Sequence, residues 1–247
     1  LVGLFCFFDL MKHAVDLPRF YLPNVQLGAI AEIDSEEAKH ARVLRLTEGN
    51  VVHLIDGKGS LFEGSVMKAG KKMEVSIDTL IEEEAQSAKK LILAVAPTKN
   101  MARFEWVIEK AVEVGVDEIL PLQCEHSERV FIKAERLHRI ALSAAKQSKA
   151  LFLPLIHELQ SVKEAFKIEA DNKWIAHCKT ADKASILALS QNKSSQIIFI
   201  GPEGDFSQEE IDLAVTLGFK EVSLGEKRLR TETAAIAAVI AANVFQA

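Results

Sequence analysis

The sequence predicts a mixed α/β protein: a small β-barrel followed by a parallel α/β domain. Three observations predict it. Short strands separated by glycine turns fill residues 18–84, strands alternate with amphipathic helices from residue 91 onward, and the charged bridge EEEAQSAKK (82–90) lies between the two rhythms. The boundaries that follow are an N-terminal extension at 1–17, a β-rich module at 18–84 and an α/β domain at 85–247.

The chain opens on LVGLFCFFDL, apolar over about ten residues where a bilayer span needs roughly 20. No basic segment precedes it and no small-residue cleavage site follows, so it does not read as a signal peptide. Met11 comes just after, and the segment reads as an extension upstream of a natural start. In the β-rich module, VVHLI, LFEGSVM and MEVSIDTLI are strands and DGKGS and KAGKK are turns. Met73, Val75 and Ile77 alternate with Glu74, Ser76 and Asp78, which predicts a half-buried strand. One helix, SEEAKHARVLRL, interrupts, with Asp34 and Glu37 spaced as a capping box.

In the second domain LILAVA is a buried strand. MARFEWVIEKAVEVG is a helix that sets Phe104, Val107, Ile108, Ala111 and Val112 on one face and stops at Gly115. VDEILPL, KWIAHC, QIIFI and KEVSL are further strands, AERLHRIALSAAKQS and QEEIDLAVTLGF further helices. The last helix, ETAAIAAVIAANVF, is apolar nearly all round, so it is buried in the core or in a subunit interface.

Open parallel sheets bind ligands beyond the carboxyl ends of their strands. Three loops qualify here: His177–Thr180, Gly201–Ser207 and Gly225–Thr231. The second, GPEGDFS, has neither the Gly-Lys-Ser/Thr ending nor the spaced glycines of a phosphate or dinucleotide loop. Glu203 and Asp205 would repel phosphate, so the loop suits a ligand that is neutral or positive, or one gripped by backbone. The third, LGEKRLRTETA, gathers Lys227, Arg228, Arg230 and Glu232. Net charge is −5 over 247 residues, so nucleic acid would have to be met by local basic patches. Candidates are Arg19, His40, Arg42 and Arg45, the turn with Lys68, Lys71 and Lys72, and the arc of Arg139, Lys146 and Lys149. Arg42 and Arg45 are three apart and would share a helix face. Phe20 and Tyr21 suit core packing better than base stacking. Cys6, Cys124 and Cys178 are scattered without a C-x-x-C pair, which fits a reducing cytoplasm, and no metal-ligand spacing occurs.

GPEGDFS and LGEKRLRTETA, about 20 residues apart in this order, resemble the signature of the SPOUT-class 16S ribosomal RNA methyltransferases. PRFYLP (18–23), HARVLRLTEGNVVHLIDGKG (40–59), FEWVIEKAVEVGVDEILPL (104–122) and AAKQSKALFLP (144–154) resemble other segments of that family, so the likeness runs from Pro18 to Ala247. Many members have glycine at the position of Asp205, arginine at that of His126, and RILR where this chain has KRLR.

The resemblance implies a PUA-like RNA-binding barrel at 18–84, a SPOUT domain at 85–247 with a C-terminal trefoil knot, and a homodimer. It implies methylation, with S-adenosyl-L-methionine, of N3 of the uridine conventionally numbered 1498 in 16S ribosomal RNA of the small ribosomal subunit. His177, Ile200, Gly201, Gly204, Leu224, Gly225 and Leu229 would form the cofactor pocket. Arg230 would stabilise negative charge on the uracil oxygens, and Glu232 would orient Arg230 or assist removal of the N3 proton. Arg19, His40, Arg42 and Arg45 would meet RNA. Two other readings stand beside it: a catalytically silent RNA-binding or ribosome-assembly factor on the same fold, and an unrelated α/β enzyme with a nucleotide ligand.

Overall fold

The computed structural model describes residues 17–243 apart from 71, 180–181 and 191–193. The apolar opening segment with Cys6, Lys71, Thr180 and the last residues of the final helical stretch lie outside the described residues. The chain divides after Ala85 into two compact units.

The first unit is a curled five-stranded sheet in the order β1 (Arg19–Tyr21), β3 (Val51–Ile55), β4 (Ser60–Lys68), β5 (Met73–Glu83), β2 (Ile30–Ile33). β1 runs parallel to β3 and the other pairs are antiparallel. The sheet is a half-barrel, with β1 and β2 at its edges. Irregularities along β4–β5, between Leu61/Phe62, Glu63/Gly64 and Val66/Lys68, supply curvature. The inward faces close on Phe20, Ile33, Val52, Leu54, Val66, Met73, Val75 and Ile77, so the predicted alternation in β5 is the one observed. β5 continues to Glu83, pairing Glu82 with Leu61 and Glu83 with Ser60, so the bridge starts later than its charge suggests. Acidic side chains on an exposed strand end leave backbone pairing intact, which composition alone does not reveal.

Gly64 is the tightest point of this sheet: a Cβ there would sit 2.0 Å from the Ser76 carbonyl oxygen. Gly64→Ala must therefore push β4 from β5, and it is expected to lower unfolding stability by at least about 1–3 kcal/mol, as overpacking does. A denaturant midpoint equal to that of the wild type would contradict this.

Helix α1 (Ser35–Val43) packs Ala38 and Ala41 inward. Asp34 caps it by accepting from the backbone N–H groups of Glu36 and Glu37, at 2.7 and 3.0 Å. The helix ends before Arg45, whose φ is +57°. Arg42 and Arg45 thus do not share a helical face: the chain turns left-handed between them, where helical spacing no longer applies.

The second unit is an all-parallel sheet in the order β11 (Ala184–Ser185), β13 (Lys220–Ser223), β10 (Asn172–Ala176), β12 (Gln196–Ile200), β6 (Leu91–Val95), β7 (Glu118–Gln123), β8 (Leu155–Ile156); β9 (Gln160–Ser161) also pairs with β7. Strands buried on both faces read as unbroken apolar runs. Leu91, Leu93 and Val95 face one core, with α2 (Met101–Val114), α3 (Ala134–Ser148) and α6 (Thr231–Asn243). Ile92 and Ala94 face the other, with the short α4 (Val162–Ala165) and α5 (Gln208–Thr216).

The five apolar positions predicted for α2 are its buried ones, and Gly115 closes it at φ +100°. Asn243, at the end of α6, donates from Nδ2 to the carbonyls of Val114 and Gly115 at 3.0 and 2.6 Å, which fastens the last helix to the end of α2. Ala235, Ala238, Val239, Ala241 and Ala242 are buried, whereas Ile236, Ala237 and Ile240 are only half-buried.

Candidate active site

A cavity of about 760 Å³ opens where β10, β12 and β13 end, the three adjacent strands whose loops the sequence singles out. His177, Ile200, Gly201, Leu224, Gly225, Leu229, Arg230 and Glu232 all line it, and so do Glu203, Asp205 and Arg228.

The three loops are tied to one another. Asp205 Oδ2 accepts from the Cys178 N–H at 2.8 Å, joining the second loop to the first. Thr231 Oγ1 donates to the Gly201 carbonyl at 3.1 Å, and Arg228 Nη2 to the Glu203 carbonyl at 3.4 Å, joining the third to the second. Glu203 Oε1 also accepts from the Lys99 N–H at 3.0 Å, bringing in the loop after β6. Ser207 and Glu210 form a reciprocal capping box that fixes where the second loop becomes α5.

The glycines serve different ends. Gly225 has φ +133° and open space where a Cβ would be, so its backbone excludes a side chain while the cavity beside it stays clear. Gly201 lacks a side chain because Phe206 is there: a Cβ would lie 3.1 Å from its ring. Gly204 is not among the lining residues. A Cβ on it would come within 2.8 Å of His126 Cβ, so it is a point of close loop packing. His126 itself holds the loop, with Nδ1 3.0 Å from the Asp205 carbonyl. Asp205 occupies the left-handed region at φ +66°, a conformation aspartate tolerates better than most residues.

His177 is buried at the end of β10, its Nε2 2.8 Å from Glu221 Oε1 on β13. Burial, with Lys183 close by, pushes its pKa below the ordinary histidine range, against the pull of Glu221. A neutral ring that donates from Nε2 leaves Nδ1 as an acceptor, and Nδ1 is buried without a partner among the described residues.

Glu232 stands in the first turn of α6 with its side chain 12% exposed. Its ion-pair partner is Arg103 of α2, Nε to Oε1 at 3.6 Å, and not Arg230. Its Oε2 is buried without a hydrogen-bond partner among the described residues. Arg103 lines the cavity, a role its sequence surroundings do not announce. The Arg230 side chain is exposed, while its backbone carbonyl accepts from Ala234 N–H at 2.8 Å and starts the helix.

In the first unit Arg19 lies on β1, His40 and Arg42 on α1, and Arg45 just past it; His40, Arg42 and Arg45 are exposed. His40 meets the buried Phe20 ring edge-on at 5.9 Å, so Phe20 is a core residue. Lys68 and Lys72 pair with Glu74 and Glu32 at 3.4 and 3.0 Å, which offsets the charge of that turn. In the second unit Arg139 and Lys146 lie on α3, and Lys149 follows it at φ +64°. Among the described residues no group of three or more His, Cys, Asp or Glu side chains could hold a metal, and no helix is long and apolar enough to cross a membrane.

Residues 85–243 match the RNA methyltransferase domain family and residues 33–75 the RNA methyltransferase PUA domain family. The chain is 30% identical over 202 residues to ribosomal RNA small subunit methyltransferase E of Mesomycoplasma hyopneumoniae, covering 80% of this chain and 86% of that protein. Among solved structures, a Legionella pneumophila protein in complex with its bound cofactor SAM superposes with a TM-score of 0.86 at 30% identity, covering 93% of this chain and 98% of that one. The ribosomal RNA small subunit methyltransferase E of Neisseria gonorrhoeae bound to S-adenosyl methionine superposes with a TM-score of 0.79 at 29% identity, over the same shares.

Proposed function

The chain belongs to the RNA methyltransferase family with a PUA domain, and from that premise we infer that it methylates N3 of a single uridine in the small-subunit ribosomal RNA, the one numbered 1498 in 16S RNA. It is a methyltransferase of ribosomal RNA that uses S-adenosylmethionine. The observation that carries this reading is the cavity itself, built from three interlocked loops with glycine backbone, apolar walls and carboxylates, and with no phosphate-type loop.

Those residues fit the cofactor. Ile200, Leu224 and Leu229 offer apolar surface for an adenine, and Glu203 and Asp205 offer negative charge for a sulfonium. The buried, unpartnered His177 Nδ1 is an acceptor ready for a donor on the ligand. When bound, S-adenosylmethionine supplies an electrophilic methyl group. The chain's own task is the uracil: N3 carries an imide proton and is a poor nucleophile until that proton leaves. Arg230 stabilises the negative charge that develops on a carbonyl oxygen of the uracil, and Glu232 takes the N3 proton. Loop ties such as Asp205–Cys178 hold the reactants in register, the main source of rate in a transfer that needs no metal.

The silent-binder alternative is less well supported, since a protein that only bound RNA would have no use for a cavity with a carboxylate oxygen and an imidazole nitrogen left unpartnered among the described residues. Residues 18–84 are the RNA-binding module in this reading and 85–247 the catalytic domain. The strand order β11-β13-β10-β12, in which chain neighbours are not sheet neighbours, supports a C-terminal knot. A homodimer is supported by the half-buried Ile236, Ala237 and Ile240 on α6 and by Trp106, 42% exposed on the neighbouring α2. The cytoplasm, where ribosomes are built, is the matching location.

Arg19, His40, Arg42 and Arg45 meet phosphates in this reading. Replacing Arg42 and Arg45 together with alanine is expected to weaken RNA binding and flatten its salt dependence by about 0.7–0.9 logarithmic units of slope for each phosphate left without its cation. A slope identical to the wild type would remove the pair from the interface.

A further inference from the structure

Glu232 lines the cavity together with two arginines from different parts of the chain, Arg103 and Arg230. Arg103 comes from the first turn of α2 and approaches Oε1 through Nε at 3.6 Å, and its terminal nitrogens have no hydrogen-bond partner among the described residues. Arg230 precedes α6, and its guanidinium likewise has no partner among the described residues. Of the other cavity cations, Lys183 donates to the His177 carbonyl and Arg228 to the Glu203 carbonyl, while Lys227 is an exposed ammonium without the planar fork of an arginine. Glu232 is nearly buried, yet Oε2 has no donor among the described residues.

Guanidinium groups only donate, and an ionised carboxylate only accepts. Two arginines and a glutamate lining one cavity can therefore offer a ligand the pattern donor, acceptor, donor. The Watson–Crick edge of uracil is its complement, with O2 accepting, N3–H donating and O4 accepting. Cytosine presents an acceptor at N3 and a donor at N4, so two of its three positions would clash with the same residues. A phosphate would suit the arginines but would be repelled by the carboxylate between them.

We propose that Arg103, Glu232 and Arg230 together read the Watson–Crick edge of the target uracil, and that Arg103 is a specificity-determining residue as well as the group that positions Glu232. The proposal rests on the methyltransferase reading and adds to it a physical reason for the choice of base. It also accounts for an arginine in the first turn of α2, where the positive end of the helix dipole disfavours a cation.

The test measures binding rather than turnover. Small ribosomal subunits are reconstituted with either uridine or cytidine at the target position and titrated with the full-length protein, saturated with S-adenosylhomocysteine so that no transfer occurs. The wild type is expected to prefer the uridine particle by about tenfold or more, since leaving buried polar groups unpaired carries at least that penalty. Arg103→Ala should bring the ratio close to one, chiefly by weakening uridine binding, and Arg103→Lys should restore part of it. Glu232→Gln, which can donate at the central position, should collapse or invert the preference. Calorimetric titration with S-adenosylhomocysteine should give each variant an affinity within a few-fold of the wild type, showing that fold and cofactor pocket survive.

Equal weakening of both particles by Arg103→Ala would assign Arg103 a merely structural tie between α2 and α6 and overturn the proposal. So would an unchanged ratio in Glu232→Gln. Methyl transfer to the uridine particle by the wild type is measured alongside; its absence would overturn the underlying reading, which separates the two failures.

Discussion

Arg230→Ala is expected to reduce methyl transfer by about 10²–10³-fold, the range seen when a preorganised electrostatic stabiliser is removed. S-adenosylmethionine affinity should stay within a few-fold of the wild type. The side chain is exposed and makes no hydrogen bond within the described residues, so its removal leaves the core intact. The helix start it adjoins is made by its backbone carbonyl, which alanine keeps. A lysine in its place should recover little, because an ammonium lacks the planar, preorganised fork of a guanidinium. Single-turnover transfer to small subunits, with cofactor affinity measured separately, checks the prediction, and wild-type turnover in the alanine variant would remove Arg230 from catalysis.

Gly225→Val should abolish measurable cofactor binding. At φ +133° a β-branched residue is strained, at a cost of about 1–3 kcal/mol. The open space beside Gly225 would also be filled by the new methyl groups. The loop must then either distort, disturbing the Thr231–Gly201 and Arg228–Glu203 ties, or keep its path and obstruct the cavity. Calorimetric titration with S-adenosylmethionine decides the matter, with circular dichroism to verify folding. Wild-type affinity in a folded variant would mean that the third loop does not hold the cofactor.

Much of this site is legible in the sequence because it is local. A glycine after a buried strand and charged residues before a helix are signals within ten or so residues, and the rule that parallel sheets bind beyond their strand ends joins them. The α2 face is legible for the same reason, since its five buried positions follow from helical spacing alone. What escapes a reading of the sequence depends on contacts between distant segments. Gly204 looks like a ligand-loop glycine until His126, far away in sequence, is seen to occupy the place of its Cβ. Glu232 looks like a partner for Arg230, two residues away, until α2 brings Arg103 alongside. Arg103 does leave a faint mark, a cation where the helix dipole disfavours one. Arg45 reads as helical because propensity continues through Leu46, whereas the left-handed turn at Arg45 comes from how α1 leaves its sheet.

Asp205 shows how such contacts alter the meaning of a residue. In sequence it is an acid in place of a common glycine. In the fold it keeps the left-handed backbone that glycine would supply and adds two hydrogen bonds, to Cys178 N–H and Phe206 N–H. The departure from the family pattern therefore preserves the loop geometry and strengthens the tie between the first two loops.

The most direct test of this function is to incubate the protein with small ribosomal subunits and methyl-labelled S-adenosylmethionine, digest the RNA and identify the labelled nucleoside by mass spectrometry. A single labelled product is expected, 3-methyluridine, at one position of the small-subunit RNA. Label on another atom or another base, or no label under conditions where the cofactor binds, would contradict it.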